Sequence, residues 1–375
     1  MTTSPPTSPP TPTLWQPLRL GAAALRNRLV LSPMTRRRAA DDGSPTALMA
    51  EYYAQRSAFG LVVTEGVYPS PEGRAYANQP GLADDAHARG WSAVTAAVHA
   101  HGTPVFAQLM HAGRVTSPSV TGVDRVLSAS AVAYESHGHP APHVTAATSA
   151  DVEQLVLSHV EAALRARRAG FDGVELHAAN GYLLQQFLAP STNHRTDGYG
   201  GSPQRRARFV TEVVEAVADA VGADRVGLRI SPGANVQGAL ETDERDVSAT
   251  YTALLTNLRH RSLAYVSVIH PSADGALARS LRRAAGTRTI ANTGFARVTD
   301  RRAAARLVER GHADAVAVGR PAIANPDLVR RWRDDRPEAT PDPATFYGGG
   351  ARGYTDYPAD GAPDAARAAD PVPAR

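Results

Sequence analysis

The sequence predicts an α/β protein built as a single (β/α)8 TIM barrel with an extended capping insertion after the third strand. Three observations point there. Eight short apolar runs alternate with stretches of helical periodicity, at a spacing that suits parallel strand–helix units rather than hairpins. Polar residues gather where those runs end, in SPMT, TEG, AQLMHAGR, ELHAANGY, LRISP, ANTGF and AVGRP. In a barrel all such ends lie on one face, the catalytic one. A doubly wound sheet alternates in the same way, and it is the repetition of polar strand ends that favours the closed barrel.

The strands are expected at 29–34, 61–65, 104–110, 173–177, 225–231, 265–270, 289–293 and 315–319. Between them, Val152, Leu155, Val156, Val160, Ala163 and Leu164 fall on one helical face, as do Val210, Val213, Val214, Val217 and Val221. Asp151 and Ser202 stand where N-caps belong, and Pro203 suits a first helical turn. One connection, 111–150, is too long for a simple loop and is rich in Ser, Pro, Gly and His. It reads as a cap over the barrel mouth. Residues 1–13, all Pro, Ser and Thr after Met1 apart from none that could seed an apolar segment, read as a disordered leader; 14–358 form the barrel and 359–375 a flexible tail.

Composition removes several chemistries. The 375 residues contain no cysteine, which excludes disulfides, thiolate nucleophiles and Cys-ligated metal centres. They contain no lysine either, so Schiff-base catalysis and a Walker A loop are out. All 40 cationic side chains are arginine, against 36 acidic ones, for a net charge of +4. The pairs and triplets at Arg36 to Arg38, Arg205 and Arg206, Arg282 and Arg283, and Arg330 and Arg331 lack interleaved aromatics. They read as solvated faces, with no nucleic-acid partner. No run approaches the ~18 apolar residues of a membrane span, so no membrane partner and a cytoplasmic location are expected.

The last two strands carry the signature of a phosphate site. Gly294 follows the seventh, while Gly319 and Arg320 form a Gly-Arg-Pro turn after the eighth, where barrels hold ligand phosphates. Glycine admits close backbone approach and arginine offers a two-pronged fork. A helix beginning near Asn325 or Pro326 adds its dipole. Gly348, Gly350 and Gly353 also spell GxGxxG, but no strand precedes them and no βαβ unit follows, so they are not a dinucleotide fingerprint.

The chemical end is the segment FDGVELHAANGYLLQQFLAP. His177 and Asn180 can aim donors at one substrate oxygen, as an oxyanion hole does, and Tyr182 supplies a hydroxyl able to protonate carbon. Two other classes compete. A metal-dependent barrel hydrolase or lyase would use Glu175, His177 and His111 as ligands. A non-catalytic flavin or phosphosugar binder would keep the fold without turnover. The loop histidines His137, His139 and His143 read as solvent-exposed rather than metal-binding.

From Leu14 to Pro358 the chain resembles the Old Yellow Enzyme family of FMN-dependent ene-reductases. The resemblance rests on LRNRLVLSPMTRRRA, EYYAQRSAFGLVVTEG, FAQLMHAGR, ELHAANGYLLQQFLAPSTNHRTDGYGGSPQRRARF, VGLRISP, ADAVAVGRPAIANPDL and TFYGGGARGYTDYP, in that order. It implies FMN as cofactor and NADPH or NADH as donor. The implied acceptors are enones, enals, quinones or nitroalkenes, and the implied state is a monomer or homodimer. The implied chemistry delivers hydride to the β-carbon and a proton to the α-carbon from the other face. By the same resemblance Pro33, Met34 and Thr35 contact the flavin, Thr35 tuning its potential; Gly66 leaves room beside the ring. Gln108 meets the pyrimidine edge, Arg229 stands beside it as a permanent cation, and Gly294, Gly319 and Arg320 hold the phosphate. His177 and Asn180 grip the acceptor, Tyr182 is the proton donor, and Tyr347 lies over the substrate pocket. Met110 replaces an aromatic residue of many relatives, which bears on acceptor preference, and Gly66 replaces a residue that is often alanine, with little consequence expected.

Overall fold

Eight short strands, rich in Val, Leu, Ile and Ala and buried on both faces, form one closed and wholly parallel barrel. They are β1 (Leu29–Leu31), β2 (Leu61–Val67), β3 (Val105–Leu109), β4 (Gly173–Ala178), β5 (Val226–Ile230), β6 (Tyr265–Ile269), β7 (Thr289–Asn292) and β8 (Ala315–Val318). Neighbours pair in chain order, and β8 closes on β1. The two-sided burial explains why the strands read as continuous apolar runs instead of alternating ones. The structure, a computed structural model, describes residues 13–134 and 143–359.

The barrel is stoppered at one end. An antiparallel hairpin, Leu18–Leu20 with Ala23–Leu25, sends Leu18, Leu20 and Leu25 against Val30, Val63, Phe106, Tyr265 and Ile290. The open end is therefore the one at which the strands finish, and the polar strand-end motifs converge there.

Outside the barrel run α1 (Ala47–Gln55), α2 (Asp85–His99), α3 (Ser149–Arg168), α4 (Pro203–Val221), α5 (Glu244–Leu258), α6 (Ala276–Ala285), α7 (Arg301–Glu309) and α8 (Leu328–Arg333). Ser202 caps α4 by accepting from the Arg205 N–H, with Pro203 in the first turn, as expected. Asp151 does not cap α3. Thr148 does, and Asp151 sits three residues on, closing a reciprocal capping box with the Thr148 backbone. The buried face of α3 is correspondingly turned: Val152, Leu155, His159, Ala162, Ala163 and Ala166 are buried, Val156 and Val160 half-buried, and Leu164 exposed. The face of α4 matches the expectation, with Val210, Val213, Val214 and Val217 buried and Val221 half-buried.

The arginine runs are not simply solvated faces. Arg36 is 1% and Arg38 4% exposed, and Arg206 and Arg331 are also buried. Arg36 donates to the carbonyls of Phe346, Thr345 and Gly353 and lies over the rings of Tyr52 and Tyr354. Arg38 donates to Gly350, Phe346, Thr345 and Arg352 carbonyls. Together they fasten the glycine-rich C-terminal loop to the end of β1. That is the physical role of the GGGARG stretch: Gly348 and Gly353 adopt left-handed φ values of 71° and 65°, and the carbonyls turn toward buried guanidinium groups. Arg206 pairs with Asp246 at 2.6 Å and Arg331 with Asp327 at 2.7 Å.

The 111–150 connection holds a short helix, Pro118–Thr121, and a parallel pair of strands, Val126–Ser128 and Val144–Ala146. His143 is exposed, whereas His137 and His139 lie outside the described residues. Among the described residues no helix is long and apolar enough to cross a membrane.

Candidate active site

A cavity of about 730 Å³ opens at the C-terminal ends of the strands. Twelve of the fourteen residues singled out from the sequence line it: Pro33, Met34, Thr35, Gly66, Gln108, Met110, His177, Asn180, Tyr182, Arg229, Arg320 and Tyr347. Gly294 and Gly319 are not among the residues that line it. Gly319 is the N-cap of a short helix, Arg320–Ala324, which precedes α8; α8 begins at Leu328, two or three residues beyond the expected start at Asn325 or Pro326. A Cβ on Gly319 would lie 3.3 Å from Met34 Sδ. Gly294 has a φ of 80° and its N–H already donates to Asn292 Oδ1 at 2.8 Å. Arg320 donates to the Phe295 carbonyl at 2.6 Å, which points its guanidinium along the loop after β7.

Strand register sets the floor. Gly66 pairs with Gln108, Gln108 with Glu175, and His177 with Arg229. Side chains abreast in parallel strands point the same way, so these groups share a surface. Gln108 Nε2 donates to Glu175 Oε1 at 2.7 Å, which fixes its amide and leaves Gln108 Oε1 free of that bond. Arg229 is fully buried, yet its guanidinium donates to Ser267 Oγ at 3.0 Å and Ser32 Oγ at 3.4 Å, both neutral. A buried cation bonded to neutral hydroxyls leaves donors to spare for an electron-rich ligand. Glu175 nearby partly offsets its charge.

At the end of β4 the chain makes an unusual turn. Asn180 has a φ of 56° and Gly181 of 77°. Asparagine tolerates this left-handed conformation better than most residues do, and the Cβ that Gly181 lacks would clash with the Val236 carbonyl at 2.5 Å. The turn is held from outside: the Asn180 N–H donates to Ser231 Oγ and the Gly181 N–H to Gln185 Oε1, while the Asn180 carbonyl accepts from Gln237 Nε2. The result brings three groups to one wall. His177 Nδ1 and Asn180 Oδ1 are buried without partners among the described residues, and so is Gln237 Oε1 beside them. These three atoms are closed off from the cavity, so a ligand meets the other polar atoms of His177, Asn180 and Gln237, all three of which line it.

Burial and the neighbouring Arg229 push the His177 imidazole down to about 3. It is therefore neutral at physiological pH and carries one N–H. Burial also holds the Tyr182 phenol well above its ordinary range, so its proton stays on. The rate of acceptor reduction is accordingly expected to stay within about twofold from pH ~5.5 to ~8.5. A limb near the usual histidine value would mean that His177 titrates.

Gly66 matters more than its small size suggested. A Cβ there would meet Met110 at 2.6 Å from Sδ, 3.0 Å from Cε and 3.1 Å from Cβ, and Met110, 2% exposed, would have to turn its thioether into the cavity it lines. Glycine at 66 and methionine at 110 are thus one packing unit. Gly66→Ala is expected to cost about 1–3 kcal/mol of stability, and in a double-mutant cycle with Met110→Ala the two changes should couple by about 1 kcal/mol. Additive thermal shifts would show that the pair packs independently.

Three contributors had no signal in the sequence. Tyr76 Oη lies 2.8 Å from Tyr182 Oη, Gln237 reaches in from the loop after β5, and Phe295 stands at the mouth. Each becomes visible only when the barrel closes. Val115, Thr116, Ser117, Val120 and Tyr134 of the 111–150 connection also line the cavity. The alternative metal set does not assemble. His111 Nδ1 accepts from the Gly113 N–H, its ring lies against His159, and Glu175 is engaged by Gln108. Among the described residues no three acidic or histidine groups could hold a metal ion.

Comparison with known proteins agrees with this geometry. Residues 13–339 match the model of the NADH:flavin oxidoreductase / NADH oxidase family. The chain is 40% identical over 363 residues to a Leishmania infantum protein named "Probable flavin mononucleotide-dependent alkene reductase", covering 92% of this chain and 96% of that one. The fold superimposes on morphinone reductase with a TM-score of 0.86 at 39% identity, over 94% of this chain and 97% of that one. It also superimposes on the old yellow enzyme homologue from Zymomonas mobilis, with a TM-score of 0.87 at 35% identity over 92% and 99% of the two chains. Cavity and comparisons lead to one conclusion: the chain belongs to the NADH:flavin oxidoreductase, or Old Yellow Enzyme, family, and is an FMN-dependent, NAD(P)H-using oxidoreductase of the alkene- and enone-reducing kind.

Proposed function

We propose that this protein reduces the carbon–carbon double bond of α,β-unsaturated carbonyl compounds, with quinones and nitroalkenes as further acceptors. One observation carries the reading: the His177 imidazole and the Asn180 amide, both able to donate, line a single cavity with the Tyr182 hydroxyl, Gln108 and the buried Arg229. The residues present fit FMN. Arg320, with Gly294 and Gly319, would hold the phosphate; Gln108 and Arg229 would take the pyrimidine edge; Pro33, Met34, Thr35 and Gly66 would line the ring. When bound, FMN accepts hydride from NADPH or NADH and supplies it to the β-carbon of the acceptor.

The protein's own part is electrostatic and protonic. Neutral His177 and the Asn180 amide donate to the acceptor's carbonyl oxygen and so stabilise the negative charge that grows there. Tyr182 gives its proton to the α-carbon. Met110 and Tyr347 bound the space the acceptor occupies, and Thr35 adds a hydroxyl at the ring edge. Donor and acceptor use the same cavity in turn.

Anaerobic stopped-flow spectroscopy tests this. The FMN-loaded protein is expected to bleach on mixing with NADPH or NADH and to recover its colour on mixing with 2-cyclohexenone. Bleaching without recovery by the enone would leave a flavin reductase and remove the alkene chemistry.

A further inference from the structure

Tyr182 has a difficulty that burial creates. Once it has given its proton to carbon, a phenolate is left inside a cavity wall, where an unsolvated charge is costly. That charge needs a donor and a replacement proton. Tyr76, 106 positions earlier in the chain, places its hydroxyl 2.8 Å from the Tyr182 hydroxyl. It comes from the segment after β2, is only half-buried, and carries the Arg37 guanidinium 5.7 Å from the centre of its ring. The Gln237 amide favours the ionised Tyr182, whereas the Tyr76 hydroxyl does so only when it is the donor of the pair.

A hydroxyl pair can share its hydrogen bond either way. If Tyr182 donated to Tyr76, its proton would point away from the acceptor. We propose that Tyr76 donates to Tyr182, so that the Tyr182 proton faces the acceptor carbon, and that Tyr76 then recharges it. In the step, the Tyr182 O–H bond breaks and a C–H bond forms at the α-carbon, and the O–H electron pair stays on Tyr182 oxygen. The Tyr76 hydroxyl proton moves to that oxygen, and water at the cavity mouth reprotonates Tyr76. Tyr76 is thus a positioning and relay residue, an inference that rests on Tyr182 being the proton donor.

The test is Tyr76→Phe in the FMN-loaded protein, beside Tyr182→Phe, with two acceptors. Enone reduction requires a proton on carbon, whereas p-benzoquinone takes its protons on oxygen. Tyr76→Phe is expected to slow enone reduction about 10- to 100-fold, at least tenfold more than quinone reduction. The loss should fall on kcat rather than KM, and the solvent isotope effect on the enone step should increase. In cofactor-free protein labelled with ¹³C at tyrosine Cζ, the signal lost in Tyr182→Phe should shift in Tyr76→Phe. An equal loss with both acceptors, or an unchanged enone rate and an unmoved signal, overturns the relay. If Tyr76→Phe is normal while Tyr182→Phe is slow, the relay falls and the acid stands; if both variants are normal, the acid assignment falls and takes the relay with it.

Discussion

Tyr182→Phe is expected to slow enone reduction by about 10²- to 10⁴-fold, the usual contribution of a positioned general acid, while reduction of the protein by nicotinamide keeps its rate. The substitution removes one oxygen and leaves the ring that packs 5.4 Å from His177, so the wall keeps its shape. Tyr182 also begins the helix Leu183–Leu188 through its backbone, without a side-chain cap, and losing the hydroxyl does not disturb that helix. The two half-reactions therefore separate cleanly in stopped-flow traces. Equal losses in both would show that the hydroxyl shapes the cavity instead of supplying a proton.

Arg36→Leu is the larger structural prediction. The guanidinium lies beside the Tyr52 and Tyr354 rings, 5.2 and 5.1 Å from their centres, which themselves stack 4.1 Å apart at 6°, and it shares the loop carbonyls of Phe346 and Thr345 with Arg38 while donating alone to that of Gly353. Glu65 accepts from the Arg36 and Arg37 backbone N–H groups at 2.9 and 3.0 Å, and its carboxylate is fully buried near this charge. Removing one member of a buried charge set leaves the others unsatisfied and costs about 3–5 kcal/mol. The midpoint of thermal unfolding should fall by about 5–10 °C, with protease sensitivity appearing first in the glycine-rich loop that carries Tyr347. Arg36→Lys should recover little, because an ammonium cannot serve carbonyls on several sides at once. A midpoint within about 2 °C of the parent would mean that the loop is held by its own turns.

The barrel was legible because fully buried parallel strands must be apolar throughout and each must end in polar residues at the mouth. The strand ends that line the cavity were legible for the same reason. What escaped was everything decided at long range. Arg36 meets Gly353 across 317 positions, and nothing local distinguishes a buried arginine from a solvated one. Tyr76 meets Tyr182 across 106, and its own surroundings in sequence, SPEGRAYANQP, resemble an ordinary loop. The misplaced cap of α3 is a smaller failure of another kind. Thr148 and Asp151 both suit an N-cap, and only the geometry shows that they occupy the two ends of one capping box. The Gly66 and Met110 pairing was hidden because a glycine in a strand does not say which neighbour needs its space.

The central claim is that hydride and proton reach the acceptor from opposite walls of one cavity, with the proton coming from Tyr182. Anaerobic reduction of a 2,3-disubstituted cyclohexenone in D₂O with NADPH or NADH measures this directly by NMR of the product, whose relative configuration at the two former alkene carbons records the face used at each. The account predicts one solvent deuterium on the α-carbon, on the face opposite the hydrogen delivered to the β-carbon. Deuterium on the same face, or spread over both faces of the α-carbon, would contradict it.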